Sequence, residues 1–167
     1  MEYLNTLIEL IIGAAFGAIA VFFILREKIK QYEKNIKLRR STILEEVAGH
    51  IGKVSHVFSK YSSVLNEVGP TTDNMSPKQQ QDLDELSTQL VEVYEEVSIA
   101  EAKLLLLGEK TLQKALKLYS GKMAVFRKQF YPGRYTDPEA AVRMKKELSS
   151  LRSQFYDILS QRYDDAL

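Results

Sequence analysis

Residues Leu4 to Leu25 read LNTLIELIIGAAFGAIAVFFIL, an apolar run with one acid, Glu9, and no base. A helix rises about 1.5 Å per residue, so the run is roughly 33 Å long, against a bilayer hydrocarbon core of about 30 Å. Its leucine, isoleucine, valine and phenylalanine side chains favour insertion by about 4–8 kcal/mol in sum, and an ionised acid at the centre opposes this by roughly 3 kcal/mol. Glu9 lies nearer one end, so insertion wins. A cleaved signal peptide would carry a basic n-region, a shorter apolar stretch and a small-residue cleavage site. The opening MEYLN has no base, and the run continues past Ala18 and Ala20 into VFFIL. A retained transmembrane anchor over residues 1–25 is the expectation.

Orientation follows from charge. Arg26, Lys28, Lys30, Lys34, Lys37, Arg39 and Arg40 follow the run, opposed only by Glu27 and Glu33. Short flanks rich in lysine and arginine stay on the cytoplasmic side, which places the N-terminus outside and the bulk of the chain at the inner face of the cell membrane. Residues 26–40 then form a basic juxtamembrane segment whose seven bases meet lipid headgroups, each contributing about 1 kcal/mol near an anionic surface. Within the run, Gly13 and Gly17 make a small-xxx-small pair at which two helices can approach closely, and Glu9 is an intramembrane acid of the kind that often has a function.

Residues 41–167 read as helices only. Thr42 and Glu45 have capping-box spacing, with Ser41 as an alternative cap. The apolar stripe Ile43, Val47, Ile51, Val54, Phe58, Tyr61, Leu65, Val68 follows in steps of three and four. Ile29, Tyr32 and Ile36 continue nearly the same stripe backward, so the first helix either runs on from the anchor or hinges near Arg40. Gly69 to Pro77 is a break, with Gly69 as a terminator and Ser76-Pro77 as cap and first helical residue. A second stripe covers Leu83, Leu86, Leu90, Val93, Val97, Ala100, Leu104 and Leu107; it shifts phase at the four leucines 104–107, which implies deep burial or a bend, and resumes as Leu112, Leu116, Tyr119, Met123, Phe126 and Phe130. Whether 77–131 is one helix or two is left open by the pattern. Tyr131 to Pro138 breaks the chain again, and Ala141, Met144, Leu148, Leu151, Phe155 and Ile158 mark a last helix. The expected architecture is all-α: the transmembrane helix followed by an antiparallel three- or four-helix bundle with coiled-coil-like long helices.

The residue types also exclude chemistry. Without cysteine there is no disulfide frame, thiolate metal site or cysteine nucleophile. Gly121-Lys122 lacks the glycine a Walker loop needs five residues before its lysine. The two histidines, His50 and His56, point about 120° apart on a helix, which suits no shared metal; Glu46 and His50 share a side but lack the paired Glu-x-x-His of a di-iron bundle. From Tyr61 onward 14 bases face 16 acids, so no basic field attracts nucleic acid; pairs such as Glu92 and Glu96 beside Lys103 read as solvated faces. The loop residues Tyr131, Arg134 and Tyr135 have the composition of a binding hot spot. No enzyme, cofactor or metal is expected. The sequence points to a membrane-anchored interaction or scaffold module that contacts membrane lipids and holds a protein partner, or a second copy of itself, at the cytoplasmic face. The alternative is a signalling or effector component whose Glu9 and Gly13/Gly17 helix acts by oligomerisation or ion leakage.

Overall fold

The computed structural model describes the backbone of residues 2–70, 75–133 and 137–166, and the side chains of Gly17 and of residues from Val21 onward within those ranges. The protein is a helical bundle, with no strand among the described residues. Its helices are α1 (Glu2–Val68), α2 (Pro77–Glu92), α3 (Tyr94–Leu106), α4 (Lys110–Gln129) and α5 (Pro138–Asp164). The described chain divides into two compact units, residues 1–39 and 40–167.

Among the described residues no helix is long and apolar enough to cross a membrane. The expected span, Leu4–Leu25, falls mostly on positions whose side chains lie outside the described residues, and the same holds for Glu9 and Gly13. In the first unit the described residues 21–39 are all exposed. Val21, Phe22, Phe23, Ile24 and Leu25 stand 54–62% exposed, an uninterrupted apolar patch on a helix surface.

In the second unit the caps form where turn chemistry demands them. Gly69 takes a φ of +77°, which only glycine adopts without strain, and its N–H donates to the Leu65 carbonyl at 3.0 Å, ending α1. Ser76 starts α2: its hydroxyl accepts from the Gln79 N–H, and the Gln79 side chain accepts from the Ser76 N–H. That reciprocal pair satisfies two N–H groups a helix start leaves open. Asp137 does the same work for α5, accepting from the N–H groups of Glu139 and Ala140. The Thr42–Glu45 spacing, by contrast, is not a cap. Both residues lie inside α1, which is unbroken at Arg40 and at Gly49 and Gly52.

The stretch 77–131 is neither one helix nor two. Val93 interrupts the first part for a single residue (φ −69°, ψ −7°), and Gly108 at φ +72° turns the chain between α3 and α4. Only Leu104 of the four leucines is fully buried; Leu105 is 54% and Leu106 85% exposed. The run therefore marks a corner rather than deep burial.

Long-range contacts give the helix directions. From Arg40 on, α1 meets α4 in the same order along both (Arg40–Glu109, Ser55–Tyr119, Tyr61–Phe130). It meets α3 and α5 in reverse order (Glu46–Lys103 and His50–Glu96; Glu45–Tyr163 and Ser62–Lys145). The core follows the apolar stripes. Val47, Ile51, Val54, Phe58, Tyr61 and Leu65 are buried from α1, with Leu44 taking the place expected for Ile43. Phe58 meets Phe126 edge to face at 5.3 Å between ring centres. Burying each large side chain of this kind stabilises the fold by about 1.5–3 kcal/mol.

Candidate interaction site

The basic segment is a solvent-facing stretch of α1. Arg26, Lys28, Lys30, Lys34, Lys37 and Arg39 are all exposed, and one exposed ion pair, Lys30 with Glu27 at 3.8 Å, lies among them. Such a pair contributes little. Ile29, Tyr32, Ile36 and Leu38 are 51–68% exposed beside these bases. Apolar side chains next to exposed lysines make a surface suited to an anionic, partly apolar medium. Gly17 is exposed too, and a methyl group added there would meet no atom within 4 Å.

Arg40 differs from the other six bases. Its guanidinium pairs with the Glu109 carboxylate, which is almost wholly buried, and Arg162 of α5 reaches the other carboxylate oxygen at 3.2 Å. Sequence reading missed Glu109 because nothing local distinguishes it from a surface acid; the signal is its position directly after Gly108, where the corner turns its side chain inward.

Polar seams hold α1 to its neighbours in the same way. Glu96 accepts from Lys53 at 3.0 Å and pairs with His50, and the bond to His50 holds its carboxyl below the ordinary value of 4.5. Lys103 donates to Glu46 at 2.5 Å, lowering that carboxyl as well. Glu96 and Lys103 are thus contacts between helices, not parts of a solvated face. Deeper in, Tyr94 donates to the Ser120 carbonyl at 2.8 Å, and burial pushes its phenol up to about 12. None of these groups converges with others into a catalytic set, and among the described residues no cluster of histidine and carboxylate ligands could hold a metal.

A groove of about 550 Å³ lies between α1 and α2. His56 and Lys60 stand on its α1 wall, Asp82 and Glu85 on its α2 wall, and Val64 and Leu86 contribute apolar surface. Its volume lies within the roughly 300–1,000 Å³ of ligand pockets, but its walls mix charged and apolar side chains and it is open to solvent. Of the loop residues singled out from sequence, Arg134 and Tyr135 lie outside the described residues. Tyr131 is half-buried, donating to Asp84 at 2.5 Å and accepting from Gln80 at 2.7 Å, so it pins the α4–α5 turn to α2. The groove is not legible in sequence, where His56 counts only as a metal partner of His50, because its lining depends on which faces of α1 and α2 are opposed. No protein-family model, curated protein or solved structure matches this chain.

Proposed function

We propose that this protein is a membrane-anchored helical interaction module, in which Leu4–Leu25 crosses the bilayer and the bundle holds a protein partner or a second copy at the cytoplasmic face. The observation that carries the reading is the patch Val21–Leu25, five consecutive large apolar side chains more than half exposed. Exposed apolar surface costs roughly 25 cal/mol per Å² in water, and lipid removes that cost. The six exposed bases that follow support the same reading, since they match an anionic leaflet and set the N-terminus outside. The three-and-four spacing of the buried residues of α1, and the seven-residue steps from Ala141 through Leu148 to Phe155 in α5, support coiled-coil-like packing within the bundle. The groove between α1 and α2 is a recess with room for a partner's side chains.

The test is fractionation of the full chain expressed in cells. It should remain with membranes through a carbonate wash, and protease added outside sealed cells should leave the segment after Arg40 intact. Recovery in the soluble fraction, or digestion of residues 41–167 from outside, would overturn the reading.

A further inference from the structure

A second, smaller recess of about 130 Å³ lies where α1, α4 and α5 meet. It is well below the size of pockets that take drug-like molecules, and its lining is unusual for this bundle. Phe58 and Leu148 are its apolar members; the remainder are hydroxyls and bases. Ser55, Ser59 and Ser62 come from one face of α1, Tyr119 from α4, and Lys145, Ser149 and Arg152 from α5. No carboxylate lines it. At the other helix junctions described above, the bases face acids: Lys103 faces Glu46, Lys53 faces Glu96 and Arg40 faces Glu109.

The donors are only partly committed. The Ser55 hydroxyl is bonded to the Tyr119 hydroxyl at 3.0 Å, and the Ser62 hydroxyl donates to the Ser59 carbonyl at 3.1 Å. The Lys145 ammonium has one bond, to the Ser62 carbonyl at 3.3 Å, which leaves two of its three protons. Burial lowers its pKa, the mark of a cation short of solvation. The positive charge of Arg152 is felt by both the Tyr119 and Tyr156 phenols, so the guanidinium lies close to the recess although most of the residue is exposed. Neither base has a carboxylate within 4 Å among the described residues. A guanidinium fork engages two oxygens of one tetrahedral oxyanion, while an ammonium acts as a point charge on a third.

We propose that this recess binds a free tetrahedral oxyanion of the phosphate class, held between Lys145 and Arg152 with the Ser59 and Ser149 hydroxyls completing its hydrogen bonds. The ion would neutralise two like charges and tie α1 to α5, so it should stabilise the bundle as well as occupy it. The inference is independent of the membrane reading.

The experiment is titration of the full chain, in a nonionic detergent free of phospholipid, with inorganic phosphate at constant ionic strength. Binding is followed by phosphorus NMR and the melting temperature by far-UV circular dichroism. Saturable binding with a rising melting temperature is expected. It should weaken at least tenfold in Arg152→Gln and in Lys145→Gln, and stay unchanged in Lys34→Gln, which tests the exposed basic segment. Arg152 is exposed, so its variant should fold, and its melting temperature without phosphate serves as the check. Absence of saturable binding at tens of millimolar phosphate, or binding that survives both pocket variants whether or not it falls with Lys34→Gln, would overturn the proposal.

Discussion

Along α1 one spacing of apolar residues meets two fates. Between Leu44 and Leu65 the stripe is buried, with Val47, Ile51, Val54 and Tyr61 wholly inaccessible. Ile29, Tyr32 and Ile36 repeat the same three-and-four steps earlier in the helix and stand at least half exposed. Helical period decides which side chains share a face. It does not decide what covers that face. For residues 44–65 the cover comes from α3, α4 and α5, each of which brings its own stripe and its own polar partners to the seam. For the earlier residues the exposed face is crowded with bases, and an apolar-basic surface of that kind suits the boundary of a membrane.

The contrast is broken or sharpened by substitution, beginning where the effect is largest. Phe126→Ala, at a fully buried ring packed against Phe58 and Phe130, should lower unfolding stability by about 3–5 kcal/mol in urea titrations followed by circular dichroism. A cost below 1 kcal/mol would mean the described core is not the one that forms. Glu109→Ala should cost about 2 kcal/mol, less than the roughly 3–5 of a fully buried pair, because Arg40 and Arg162 each keep about 40% of their side-chain surface and can be rehydrated. Ser76→Ala, which removes the α2 cap, should cost about 1 kcal/mol. Ile36→Ala should change stability by less than about 0.5 kcal/mol while weakening association with anionic vesicles in a sedimentation assay. A cost comparable to Phe126→Ala would show that Ile36 is covered after all.

Acid sharpens the same contrast. Glu46 and Glu96 have folded-state values below their ordinary 4.5 because Lys103 and His50 bond to them. Their contribution is therefore complete above pH 4.5 and is lost as pH falls through the lower folded values. The urea midpoint of the bundle should drop between pH 5 and pH 3, and Glu96→Gln should flatten that drop; an unchanged slope would remove Glu96 from the seam.

What sequence made legible was local. The stripe from Val47 to Leu65, the stop at Gly69 and the start at Ser76 are short-range features, and the structure carries each of them. Leucines 104–107 announced a disturbance without its kind; the answer lay in Gly108 adopting a positive φ, which leaves Leu105 and Leu106 outside. Val93 gave no warning, being an ordinary residue at an ordinary φ. Pairings such as Glu96 with His50, and the recesses lined by His56 or by Lys145, depend on which faces of distant helices oppose one another, and no spacing within one helix encodes that.

Glu109 has a mechanical consequence. Its carboxylate grips Arg40, the first residue of the bundle, and Arg162, near the end of the last helix, from the corner between α3 and α4. Tension on the chain ahead of Arg40 is therefore shared at the point of entry among α1, α4 and α5. Peeling α1 away alone would first have to tear open this three-way knot.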